Sequence, residues 1–157
     1  METLQTARLE TEYIMTMYGA LDPPQVIDET LAIFCVTGGW AKGPNINAML
    51  IQPAADWIRA MPNGSRRLDV RLTLKTDDGA LIYVSYNGVN RQSETSRDRL
   101  MTGEILTSND LYLITAPTFR TSNPKYAWLN TIQTIGKLVQ LKGGQDRFIK
   151  YDIFAVK

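Results

Sequence analysis

Along residues 66–75, RRLDVRLTLK, apolar and polar side chains alternate. Leu68, Val70, Leu72 and Leu74 fall on one face, and Asp69, Arg71, Thr73 and Lys75 on the other. A period of two marks a β-strand with one buried face. The final run, FIKYDIFAV, sets Ile149, Tyr151, Ile153 and Ala155 against Phe148, Lys150, Asp152, Phe154 and Val156. RLETEYIMTMY places Leu9, Thr11, Tyr13, Met15 and Met17 on one face. TLAIFCVT is continuously apolar, which predicts a strand covered on both sides. INAMLI, WIRAM, ALIYVSY, DLYLITAPTFRT and NTIQTIGKLVQL complete the strand-like set.

Turn signals recur about every ten residues, as in an all-β meander or barrel. They are DPP at 22–24, GG at 38–39, KGPN at 42–45, PNGS at 62–65, DDG at 77–79, NG at 87–88, SNP at 122–124 and KGG at 142–144. One segment, ETSRDRLMTGEI from Glu94 to Ile105, reads as a helix, with a hydroxyl residue to cap its start and Gly103 to end it. No repeat or linker divides the chain. The expectation is a mainly β protein: a single antiparallel β-barrel over residues 1–157 with one short helix. Closure removes the open strand edges that favour aggregation.

Asp77 and Asp78 are adjacent carboxylates beside Gly79, between two apolar runs. A metal or acid–base site needs further ligands or a separated partner. Adjacent residues on an extended chain point to opposite sides. Asp-Gly between alternating apolar runs is a hairpin signal, because both residues tolerate positive φ. DDG therefore reads as a bend.

Composition narrows the chemistry. The 157 residues carry 17 Lys plus Arg against 16 Asp plus Glu, a net charge of +1. This balance lacks the basic stripe of a nucleic-acid binder or a polybasic membrane contact, so neither partner is expected. There is no histidine, which removes histidine-based triads, general bases and metal ligands. Cys35 lies in an apolar run and reads as an inert thiol. The N-terminus has no apolar signal-peptide core, and no apolar stretch approaches membrane length, so a cytoplasmic location is the default. GGWAKG lacks the helix and lysine–hydroxyl pair of a phosphate loop. No cofactor and no metal are expected.

Taken together, TGGWAKGP, ADW, LDVRLTLKTDDGALIYVSYNGV, LYLITAPTF, NPKYAWLN and YDIFAV resemble the small barrels of domain-of-unknown-function family 3237, also called uncharacterised protein family 0311. The resemblance runs from Leu9 to Val156. It implies a lipocalin-like or allene-oxide-cyclase-like barrel, often oligomeric. Similar barrels host cofactor-free cyclases, isomerases and lyases, and also plain binders. The chain departs from the family pattern at QPAADW, where Pro53 and Ala54 replace glycines. It departs again at YLIT, where Ile114 replaces an arginine, and at FRT, where Arg120 replaces a glutamate.

Four residues are candidates for chemistry. If their strand face points inward, Asp69 is a general base and Arg71 a cation for a developing oxyanion. If it points outward, both belong to a solvated face with Lys75. Asp56 beside Trp57 is either a proton shuttle at the barrel mouth or a structural acceptor of backbone N–H groups. Tyr83 is either a donor to an enolate or a buried structural phenol. Trp40, Trp57, Tyr112, Tyr126 and Trp128 form a candidate aromatic wall for a small-molecule ligand. Met15, Met17, Met49, Met61 and Met101 read as fillers.

The function expected is a cofactor-independent isomerase, cyclase or lyase acting on a reactive, largely apolar small molecule. The alternatives are a ligand carrier without catalysis and a barrel filled by its own side chains. A homo-oligomer, dimer or larger, is expected.

Overall fold

A computed structural model describes residues Met1–Lys157. The strands in chain order are β1 (Thr11–Leu21), β2 (Gln25–Val26), β3 (Leu31–Gly43), β4 (Ile46–Ala60), β5 (Arg66–Thr76) and β6 (Leu81–Arg91). Helix α1 (Glu94–Met101) follows, then β7 (Ile105–Leu106), β8 (Tyr112–Thr115), β9 (Thr118–Arg120), a 3-10 helix (Pro124–Thr131), β10 (Thr134–Lys142) and β11 (Phe148–Val156). The hydrogen-bonded ring runs β1–β11–β10–β8–β6–β5–β4–β3 and closes by pairing of β3 with β1. The result is an antiparallel barrel of eight strands, as the alternation predicts. β7, β9 and β2 extend it from β10, β6 and β3. No helix is long and apolar enough to cross a membrane.

The alternation sets the inside. Leu68, Val70, Leu72 and Leu74 of β5 are buried, as are Ile82, Val84 and Tyr86 of β6 and Tyr151, Ile153 and Ala155 of β11. Along β1 the phase changes at a bulge between Tyr13 and Met15. Ile14 and Met15 are therefore both buried while Tyr13 is exposed, contrary to the uniform face read from the sequence. INAMLI and WIRAM belong to one strand, β4, whose pairing shifts between Ile51 and Ala55. Leu31–Cys35 of β3 are only half-buried. The run pairs along its edges with β2 and the end of β4, and the strand covered on both sides that the sequence predicts is not found.

One end of the barrel is solid. Met15, Leu74, Ile82, Val84, Ile153, Tyr126 and Leu129 are almost completely buried there. PKYAWLNT, Pro124–Thr131, forms the 3-10 helix. Asn123 caps it by accepting from the Lys125 N–H at 2.9 Å, and Pro124 begins it. The DDG bend holds this plug. Gly79 takes φ 91°, as a turn glycine can. Asp78 accepts from the Tyr126 hydroxyl at 2.8 Å, Lys125 Nζ at 2.9 Å and Thr76 Oγ1 at 2.5 Å. The three donors hold the exposed Asp78 carboxyl well below the usual carboxylate range, the Lys125 bond contributing most.

α1 crosses the other end. Ser93 accepts from the Ser96 N–H at 3.1 Å and starts the helix, which ends at Met101, before Gly103 at φ 85°. It stops short of the Ile105 boundary expected from the sequence. Arg99 pairs with Glu104 and Asp110 and ties the helix to the following turn. The β10–β11 loop lies against its C-terminal turn. A Cβ on Gly143 would sit 2.6 Å from the Leu100 carbonyl oxygen, so the close approach requires glycine there.

Candidate functional site

Between α1 and the solid core lies a cavity of about 280 Å³, near the low end of ordinary ligand sites. Its walls are mainly apolar: Phe34, Val36, Ile58, Leu68, Val70, Leu113 and Ile149, with Leu100 and Met101 at the helix side. Its polar groups are few. Asp56, Tyr86 and Tyr151 come from β4, β6 and β11, while Arg66, Asn90, Gln92, Lys142 and Arg147 complete the lining.

Asp56 faces inward because β4 keeps its phase across the irregularity after Ile51. Ala48, Leu50, Ala54 and Asp56 are all buried. Regular pairing of β4 with β5 is interrupted between Asp56↔Val70 and Arg59↔Arg67. In that gap the Asp69 N–H donates to Asp56 Oδ1 at 3.1 Å. One bond from a neutral donor does not offset removal of the carboxylate from water. Burial, opposed by this bond and reinforced by the nearby Asp69 charge, pushes the Asp56 carboxyl up to about 7. It is thus poised to accept or release a proton near neutral pH.

The two tyrosines meet edge to face, their ring centroids 6.2 Å apart at 82°. Burial, and secondarily the Asp56 charge, raises the Tyr86 phenol. Burial raises Tyr151 too, with Tyr86 and Asp56 adding to it. Both therefore stay protonated, and each can donate to an oxygen in the cavity. Asn90 is 6% exposed, and its Oδ1, like Oε1 of Gln92, has no hydrogen-bond partner in the protein. The structure gathers no cluster of three or more Cys, Asp or Glu side chains arranged for a metal ion.

Of the expected catalytic residues, Asp56 alone lines this cavity. Asp69, Arg71 and Tyr83 do not, and the inward reading of their faces is corrected. Leu68, Val70 and Leu72 take the inside of β5, and alternation turns Asp69 and Arg71 outward. Ile82 and Val84 do the same on β6, leaving Tyr83 43% exposed. Asp69 still reaches the site through its backbone N–H.

The aromatic wall is likewise not formed by the expected residues. Trp57 follows inward Asp56 and therefore points out. Trp40 precedes buried Ala41 and stacks on Tyr18 on the outer face, with centroids 5.6 Å apart. Tyr112 lies outside beneath the Arg91 guanidinium at 4.4 Å. Tyr126 and Trp128 belong to the plug at the solid end. The aromatics that do face the ligand space, Phe34, Tyr86 and Tyr151, were not proposed from the sequence. For the tyrosines the signal was present: Tyr86 continues the Ile82–Val84 face, and Tyr151 shares one with Ile153 and Ala155.

A family model described as a protein of unknown function, DUF3237, matches residues 9–156. A UPF0311 protein of Clostridium acetobutylicum is 32% identical over 94 residues, spanning 60% of each chain. One from Rhodopseudomonas palustris strain TIE-1 is 30% identical over 128 residues, 79% of this chain and 84% of the relative. The crystal structure of a conserved protein of unknown function from Rhodopseudomonas palustris superposes with a TM-score of 0.85 at 26% identity, covering 97% of this chain and 100% of that one. A crystal structure described as an enzyme from Penicillium herquei shares the fold, with a TM-score of 0.69 at 20% identity over 99% of this chain and 100% of its own.

Proposed function

The chain belongs to the DUF3237 family, and within that barrel we propose that the open half binds a largely apolar small molecule and that Asp56 moves a proton on it. The observation that carries this reading is a carboxyl held near pH 7 at an inward-facing position among greasy walls and two neutral phenols. The reaction class is a cofactor-independent isomerisation, cyclisation or elimination. Ionised Asp56 takes a proton from a C–H or O–H of the substrate. Tyr86 or Tyr151 donates a hydrogen bond to the oxygen on which charge develops. In an isomerisation or cyclisation Asp56 returns the proton to a second atom of the same molecule. In an elimination the proton passes to the leaving group. In each case the protein ends as it began. The dry wall strengthens these interactions and holds the reacting atoms in place. A barrel of this fold described as an enzyme in Penicillium herquei is consistent with a catalytic use of the scaffold.

The test is proton exchange. A panel of small apolar ketones and phenols is incubated with the protein in D2O, and deuterium incorporation is followed by mass spectrometry. The expected result is protein-dependent exchange into compounds that bind, lost in Asp56→Asn with binding retained. Exchange that survives in Asp56→Asn would overturn the role of the carboxyl. Tight binding with no exchange across the panel would assign the cavity to ligand carriage alone.

A further inference from the structure

The charged residues lining the cavity are unequal. Asp56 is the single acid, whereas Arg66, Lys142 and Arg147 are all cations. None of the three is in a salt bridge; the ion pairs of the molecule involve Arg8, Arg99, Lys125 and Lys157. Lys142 Nζ donates only to the Gln145 carbonyl. Arg147 donates to the carbonyls of Gly144 at 2.9 Å and Asp22 at 3.5 Å. Arg66 is half-buried and makes no ion pair. Instead burial, together with the Arg97 charge, lowers its affinity for its proton.

A half-buried guanidinium next to another cation is costly unless something anionic answers it. The cations stand where strand ends and the β10–β11 loop meet the cavity. Asp56 comes from within β4. Asn90, whose Oδ1 is unpaired, lies directly across from Arg66 in the β5–β6 register. The lining therefore combines cations at the strand ends and the β10–β11 loop with an unpaired acceptor and apolar walls around Asp56, Tyr86 and Tyr151.

We propose that the ligand of this cavity is an apolar molecule bearing one acidic group, which docks on Arg66, Lys142 and Arg147 while its body extends toward Asp56. The proposal rests on the cavity reading above and deepens it. The anion anchors the molecule, and a hydroxyl or N–H on the body satisfies Asn90. The reacting carbon or oxygen is then held near Asp56, away from the cations that would otherwise favour its ionised form.

Two dyes of matched skeleton provide the test: neutral 1-anilinonaphthalene and its 8-sulfonate. Each is titrated into the full chain, with fluorescence as the readout. The sulfonate is expected to bind on the order of tenfold more tightly at low salt, the scale of one charge pair at a partly buried site. Its advantage should shrink in about 0.5 M NaCl, where screening acts within a few ångströms. Arg66→Gln, Lys142→Gln and Arg147→Gln should each weaken the sulfonate several-fold and leave the neutral dye unchanged. Arg67→Gln, exposed on the same strand, should alter neither. Should Arg66→Gln fail to fold, the salt titration and Lys142→Gln carry the same information. Equal affinity for the two dyes, or a preference untouched by these substitutions, would overturn the acidic-ligand proposal while leaving the cavity intact. Failure of both dyes to bind would remove the proposal and the cavity reading together.

Discussion

Replacing Asp56 with asparagine should make the protein more stable, and increasingly so as pH rises. The carboxyl titrates near 7 in the folded chain against an ordinary 3.8. At about 1.4 kcal/mol per pH decade, its ionisation burdens the folded state by about 4 kcal/mol. The sign follows from proton uptake. Between pH 4 and 7 the folded state binds more protons at this position than the unfolded chain, so wild-type stability falls as pH rises and levels off above about 7. The amide of Asp56→Asn carries no charge, and its oxygen can still accept from the Asp69 N–H. Tyr86 from β6 and Tyr151 from β11 share the cavity with the position and Arg66 also lines it, while Asp69 of β5 acts on it through its backbone N–H and by its charge from the outer face. Both tyrosines stay neutral across this window. Asp28, Asp78 and Asp110, whose carboxyls are held low, titrate alike in both proteins, so their contribution cancels in the difference. Thermal melts by circular dichroism from about pH 4.5 to 8.5 would measure it. The variant's advantage should widen through the window to roughly 10 °C and then stay constant. An advantage independent of pH, or a variant less stable throughout, would refute the claim that Asp56 is buried with its charge unanswered.

Three further outcomes follow from the same structure. Gly136→Ala would place a Cβ 2.3 Å from Thr115 Oγ1, a hydroxyl with no hydrogen-bond partner. Denaturant melts should show a loss of about 1–3 kcal/mol, most of it recovered by adding Thr115→Ala. Tyr126→Phe removes the phenol's bond to Asp78 at the plugged end and should cost about 1–2 kcal/mol in the same assay. Arg71→Gln and Tyr83→Phe alter the outer face, so stability should stay within about 0.5 kcal/mol of wild type and proton exchange should be unchanged. Loss of exchange in either would move the reaction out of the cavity.

Strands β5 and β11 were readable from period two alone, because Leu68, Val70, Leu72 and Leu74, and Ile149, Tyr151, Ile153 and Ala155, form unbroken apolar stretches of one face. The same alternation, followed strictly, already turns Asp69, Arg71 and Tyr83 outward: a closed barrel puts the greasy face inside. The resemblance to DUF3237 proteins carried the fold, and the DDG bend was legible from turn chemistry. What was less legible lay where the pattern is weak. AADWIRA has no clean alternation, so nothing local assigns Asp56 an inward direction. The bulge at Tyr13–Met15 shifts a phase that the residues alone present as continuous.

The GG and NG signals at 38–39 and 87–88 lie inside β3 and β6 and are not bends. By itself, then, the amino-acid order determined most of the strands, the faces of the regular ones, the KGPN, PNGS, DDG and KGG bends and the lack of histidine chemistry. These depend on contacts between near neighbours. Only ring closure brought Asp56, Tyr86 and Tyr151 into one chamber, because they stand on strands far apart in the chain. Only the interrupted β4–β5 pairing gave Asp56 its single N–H donor, and only burial made that donor insufficient. Charge state in a cavity depends on how much water the whole fold excludes, which no local stretch of residues specifies.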